Sequence, residues 1–162
     1  MQAETSGFAS DWSGLKRHRI RQPERTRRRN QDFYITGSAT GGLPELTPTD
    51  CVRVVAYDFA RNWLRYEGAA IPSSESLTHA AIYESDSSTS AVIHCHDSEL
   101  WATLLDRVPT TSKSVAYGTP EMAYEIMRLF KGTDLRSRKI LVMAGHEGGI
   151  ATFGKISKTH SM

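Results

Sequence analysis

The sequence predicts an α/β chain, or an α+β one, in which helices cover a sheet. Three observations carry this. Early segments rich in β-branched and aromatic residues, separated by short turns, read as antiparallel strands. Later segments alternate apolar runs with stretches of helical period. No internal repeat occurs, and no apolar run approaches the roughly 20 residues that span a bilayer.

The elements follow in order. "DFYIT" (residues 32–36) is a short strand, followed by the turn-rich loop "GSATGGLPELTPTD", with Gly37, Gly41, Gly42 and two prolines. "CVRVVAY" and "NWLRYE" are two strands joined by "DFAR". "SSESLTHAAIY" predicts a helix starting near Ser73 or Ser74, with Leu77, Ala80 and Ala81 on one side. "SAVIHCH" predicts a buried strand, and "SELWATLLDRV" a helix with the apolar stripe Leu100, Leu104 and Leu105. "TPEMAYEIMRLFKG" is the clearest helix. Thr119 suits its N-cap, Pro120 its first position and Gly132 its stop, with Met122, Ile126, Met127 and Phe130 facing inward. "KILVMAG" is a second buried strand, and "GIATFG" a short one after a glycine turn.

Residues 1–31 read differently. Eight of the chain's twenty Lys and Arg residues lie between Lys16 and Arg29, so the remainder is net acidic although the whole carries +2. "LKRHRIRQPERTRRRNQ" has no helix-period apolar face and is interrupted by Pro23. It reads as a solvated basic arm. Clustered arginines also suit a polyanion, but no aromatic residues interleave to stack on bases, which argues against nucleic acid. The rest, residues 32–162, is long enough for one domain with a sizeable core. The whole chain's 39% hydrophobic and 23% charged residues suit a soluble globular protein. The start lacks a basic n-region and an apolar h-region, and the only cysteines, Cys51 and Cys95, lie far apart. Both features point to a reducing cytoplasm.

The chemistry concentrates around histidines. On a strand, residues i and i+2 share a face, so His94 and His96 project together while Cys95 turns toward the opposite layer. A hydrogen-bonded pair at a strand end is the plain reading of H-x-H, and two ligands of a divalent metal the sharper one. His146 follows the apolar "ILVMA" in a glycine turn. If that strand neighbours the first, His146 reaches the same ion, and three imidazoles with an open position describe a catalytic site rather than a closed structural one. His79 falls within a helix, where a place in the core or behind the ligands suits it better than ligation. His18 lies in the basic arm and His160 near the end. Glu75, in "PSSESL", sits at a helix start, where a carboxylate is favoured by the dipole. Ser73 and Ser74 on the same turn, and the glycine-rich "ITGSATGG", offer donors for an anion.

The segments "ITGSATGGLPELTPTD", "PSSESLTHAAIY", "AVIHCHDSELWATLL" and "LVMAGHEGG", in this order, resemble the class II aldolase/adducin family, which includes fuculose-phosphate aldolase and ribulose-phosphate 4-epimerase. The resemblance spans roughly Phe33 to Gly154. It implies a three-layer α/β fold with a central, mostly antiparallel sheet flanked by helices. His94, His96 and His146 match the metal ligands, with zinc the first expectation and manganese, iron or cobalt also compatible. Glu75 matches the acid/base glutamate, in some members a further ligand. Ser73 and Ser74 match phosphate-contacting serines, and Ser38, Thr40 or Gly41 the phosphate loop. The implied activity is metal-dependent cleavage of a small sugar phosphate through an enediolate. Epimerisation, dehydration and decarboxylation share that logic. A non-catalytic, adducin-like scaffold domain is the alternative, and scaffold members tend to lose the histidines kept here. The family also implies a homo-oligomer, a tetramer by analogy.

Three features depart from the family pattern. The arginine-rich stretch stands where members carry a helix and a G-N-x-S loop. "DRVPTTSKSVAYGT" is short for the segment that holds an interfacial tyrosine, and nothing in the sequence assigns that role to Tyr117. The C-terminal helices that can carry a further tyrosine are not found after "FGKISKTHSM".

Overall fold

A computed structural model describes residues 32–156. The basic arm, including His18, and His160 lie outside the described residues. The described strands form two three-stranded antiparallel sheets, ordered β1-β2-β3 and β4-β6-β5. The first contains β1 (Phe33–Thr36), β2 (Cys51–Asp58) and β3 (Trp63–Glu67); the second contains β4 (Ala91–His96), β5 (Ile140–Val142) and β6 (Gly149–Gly154). The antiparallel strands and the α/β class agree with expectation. One continuous central sheet is not seen among the described strands, which divide into these two groups.

The helices are α1 (Ser76–Ser85), α2 (Ser98–Leu104), α3 (Pro120–Gly132) and α4 (Leu135–Arg138). Thr119 caps α3 as expected, its hydroxyl accepting the Met122 N–H at 3.3 Å, with Pro120 in the first turn. Such a cap contributes about 1 kcal/mol. The stop differs in detail: Gly132 is the last helical residue, and Thr133 closes the end by donating its hydroxyl to the Leu129 carbonyl at 2.7 Å. Met122, Ile126 and Phe130 are buried as predicted, whereas Met127 is only partly so and packs at the core's margin. Each large side chain shut away here is worth about 1.5–3 kcal/mol.

Helix α1 is buried on every side from Ser76 to Ile82, not along one stripe. It packs on α3, and residues of both sheets join the two helices in one apolar cluster. Asp86, at the end of α1, is almost without exposure and accepts from Lys139 Nζ at 2.6 Å, with Arg136 at 3.3 Å. That tie holds α1 to the approach of β5.

Two expectations about burial are corrected. β4 is not a buried strand: it is an edge strand paired only with β6, and Ile93 is 60% exposed. Cys95 is exposed too, so no opposite layer encloses it. Helix α2 has no buried residue, and Leu100 of its supposed stripe is 43% exposed. Among the described residues nothing covers this side of the fold, which is why an apolar pattern there gives no core. No helix among the described residues is long and apolar enough to cross a membrane.

Candidate metal centre

β4 and β5, the strand that leads to His146, are not neighbours, although their being so was the condition on which His146 was expected to reach the ion. β6 lies between β4 and β5 and runs antiparallel to both, so β4 and β5 are parallel and end on the same side. The turn from β5 to β6 spans that side. The His146 N–H donates to the Met143 carbonyl at 3.0 Å, and the Gly149 N–H to the His146 carbonyl at 2.8 Å. The turn is fastened to the end of β4 by the Asp97 N–H, which donates to the Gly148 carbonyl at 3.0 Å. Trp101 of α2 adds a second tie, its indole N–H donating to the Met143 carbonyl at 3.1 Å.

His94 and His96 project together as the strand period requires, their Nε2 atoms 3.0 Å apart. The imidazole of His146 lies 4.3 Å from that of His96 and 5.3 Å from that of His94, centroid to centroid. One ligand atom from each of the three falls within 4.8 Å of the others. Gly149 is part of the reason: a side-chain carbon there would stand 2.8 Å from the His146 carbonyl and 3.1 Å from its Cγ. Only glycine lets the ring settle where it does.

The donors suit a cation. Nδ1 of His94 and Nδ1 of His146 are buried without a hydrogen-bond partner. Burial, with repulsion from His96 and His146, pulls His94 down to about 4; burial, then His96, pulls His146 down to about 4. Both rings are therefore neutral at pH 7 and keep a lone pair for a metal. A tetrahedral ion with Zn–N bonds of about 2.0–2.1 Å sets ligand nitrogens roughly 3.4 Å apart, close to the spacing of the two Nε2 atoms.

Glu75 completes the cluster. It is the N-cap of α1 rather than a first-turn residue, because the helix begins two or three positions later than predicted. Its side chain does not cap; Oε1 lies instead 3.5 Å from Nδ1 of His146. That is too long for a hydrogen bond, and neither carboxylate oxygen has a partner at bonding geometry. Burial raises its carboxyl above the ordinary carboxylate range, with Thr78 nearby opposing part of the shift. His79 is buried behind this group, as expected of a core histidine; burial and then His94 lower it to about 4.

The serines are placed beside the cluster. Ser73 Oγ accepts the Glu75 N–H at 3.2 Å, and the Ser73 N–H donates to the Thr36 carbonyl at 3.2 Å. A side-chain carbon at Gly118 would lie 3.6 Å from the Ser74 carbonyl, and the next residue back, Tyr117, stacks on His146. Ser38 is bound to the same turn, its N–H donating to the Ile71 carbonyl and its hydroxyl to that of Pro72. Thr40 donates its hydroxyl inward to the Gly37 carbonyl, and Gly41 stands in open space. So Ser73, Ser74 and Ser38 join the neighbourhood of Glu75, while Thr40 and Gly41 lie farther out on the loop.

Residues 24–158 match the family model of the class II aldolase and adducin N-terminal domain. The chain belongs to this family. It is also similar to a solved structure of L-fuculose 1-phosphate aldolase, with a TM-score of 0.50 and 19% identity, over 80% of this chain and 67% of that one. At that identity the likeness is one of fold. No curated protein matches the chain. Tyr117 and Trp101 are the residues that sequence reasoning left without a role. The only signal for Tyr117 was its place before Gly118, ahead of a well-capped helix.

Proposed function

We propose that this member of the class II aldolase/adducin family is a metal-dependent lyase that cleaves a small sugar phosphate. The observation that carries the proposal is the meeting of three imidazoles with a buried, unpartnered carboxylate. A scaffold has no use for Glu75, His94 and His146 each left with an unpartnered buried atom at one point. His94, His96 and His146 hold the ion, zinc by ligand type. When bound, it supplies Lewis acidity to the substrate's carbonyl and hydroxyl oxygens.

The chain's own residues supply the rest. Glu75, its carboxyl pushed toward neutrality by burial, holds and releases a proton at its carboxylate oxygens, as suits a general acid/base. The turn Ser73–Ser74 at the start of α1 and the loop from Ser38 to Gly41 offer hydroxyl and N–H donors to a phosphate. The uncovered face of β4 and α2, with Ile93 and Leu100 exposed, supports a homo-oligomer; a stable monomer by light scattering would count against it.

The test is metal content. Untagged protein, purified without chelator and reconstituted with zinc, is expected to hold about one ion per chain by mass spectrometry. A His94→Ala/His96→Ala variant is expected to lose it and, with it, cleavage across a panel of ketose and aldose phosphates. Absence of metal from the reconstituted parent would defeat the lyase reading and favour the scaffold.

A further inference from the structure

Tyr117 lies with its ring 4.1 Å from that of His146, the planes only 20° apart. It is 44% exposed, so this contact is made at the rim of the fold and not by core packing. The segment that carries it is fixed on the same turn as the histidine. The Val142 N–H donates to the Pro109 carbonyl and the Thr111 N–H to the Val142 carbonyl, which lays residues 109–111 beside β5. The Ala144 N–H then donates to Thr111 Oγ1 at 3.0 Å. Beyond this point the two backbones touch: any side-chain carbon on Gly145 would collide with the Val115 carbonyl. On its far side the segment meets Ser74 through Gly118. It is therefore a strap, anchored at both ends, that sets an aromatic ring flat on one imidazole.

We infer that Tyr117 is a positioning residue for His146: its ring holds the imidazole in the orientation that lets it share an ion with His94 and His96. An imidazole in a short turn has two torsions to fix. The His146 N–H and carbonyl are bound within the turn, but its buried Nδ1 makes no hydrogen bond. With Nε2 turned to the ion, the orienting partner usual for a metal-binding histidine is a carbonyl or carboxylate on the second nitrogen; here the Glu75 carboxylate stands 3.5 Å from that Nδ1, beyond a hydrogen bond. The flat stack takes that place. Stacking needs the ring and not the hydroxyl, so phenylalanine should serve and alanine should not.

This inference rests on the metal-site reading, and the experiment separates the two. Zinc affinity is measured by chelator competition on the full chain, with the cobalt absorption spectrum as a second readout of ligand geometry. The parent, Tyr117→Phe and Tyr117→Ala are compared, together with the urea stability of each in metal-free form. Tyr117→Phe is expected to bind within about twofold of the parent, and Tyr117→Ala about 10-fold or more weakly, with an altered cobalt spectrum and unchanged metal-free stability. Should the alanine variant not fold, Tyr117→Leu, which keeps bulk but no flat ring, replaces it with the same expectation. A parent that binds no ion sinks the metal site itself. A parent that binds, with alanine or leucine binding equally well, or phenylalanine failing as alanine does, overturns the role of the ring.

Discussion

Oε1 of Glu75 stands 3.5 Å from Nδ1 of His146, and both atoms are closed off from water without a hydrogen bond. Burial raises the Glu75 carboxyl, so the folded protein favours its protonated form. The linkage sign follows. Below the ordinary glutamate value of about 4.3, folded and unfolded states both carry the proton. As the pH rises, the unfolded chain ionises first, and stability is lost until the pH passes the folded value. Glu75→Gln removes this loss. In metal-free protein the variant should gain on the parent as the pH rises above about 4, the gain levelling off once the pH passes the folded value. Urea unfolding at several pH values checks this, and a constant difference would show that the carboxyl is not shielded as described.

The histidines run the other way. His79, His94 and His146 are each lowered to about 4, chiefly by burial. Between that value and the ordinary histidine value of about 6.5, the unfolded chain takes up protons that the folded one refuses. Three such groups outweigh the single glutamate, so the metal-free protein should lose stability as the pH falls from 6.5 toward 4. Thermal midpoints across that window test it. Midpoints that stay level or rise on acidification would contradict the burial of these rings.

Gly149 sits under His146 with no room for a methyl group. Gly149→Ala should push the turn outward, costing about 1–3 kcal/mol of stability through overpacking and weakening zinc binding with it. Chelator competition and urea unfolding on the same preparations separate the two effects. Parent-like affinity would mean that the turn yields without moving the imidazole.

Much of this site was legible in the sequence, because its parts obey local rules. The period of two on β4 put His94 and His96 on one face, and the cap and proline fixed the start of α3. What was not legible depended on contacts distant in sequence. β6 is the last strand among the described residues yet lies between β4 and β5, and no local pattern announces a strand inserted later. β4 reads as buried because Ala91, Val92 and Ile93 are apolar, but an edge strand beside a helix with no buried face stays exposed. Glu75 taken alone reads as an ordinary helix-start glutamate, and the family resemblance singled it out; what the sequence did not show is that its side chain leaves the helix end uncapped and turns toward His146. Tyr117 reached the histidine through a strap whose anchors, Thr111 and Gly145, carry no signature of their own.

Asp86 offers a test of the scaffold apart from the metal. Its carboxylate is nearly without exposure, bonded to Lys139 and Ser88 and close to Arg136. Burial acts to raise its carboxyl, but the hydrogen bonds from Lys139 and Ser88, with the Lys139 charge, together hold it far below the ordinary range. Losing one member of a buried ion pair typically costs about 3–5 kcal/mol. Here Lys139 and Arg136 are 35% and 57% exposed and can rehydrate, so Asp86→Ala should cost about 2–3 kcal/mol. A depressed carboxylate stabilises above its unfolded value of about 3.9 and stops doing so as the pH falls toward its folded one. The penalty of the variant should therefore be full at pH 7 and shrink below pH 4. Zinc affinity should be untouched, since Asp86 makes no contact with the histidines. A variant as stable as the parent at pH 7 would show that the tie between α1 and β5 contributes nothing, and a fall in zinc affinity would show that this tie also sets the geometry of the metal centre.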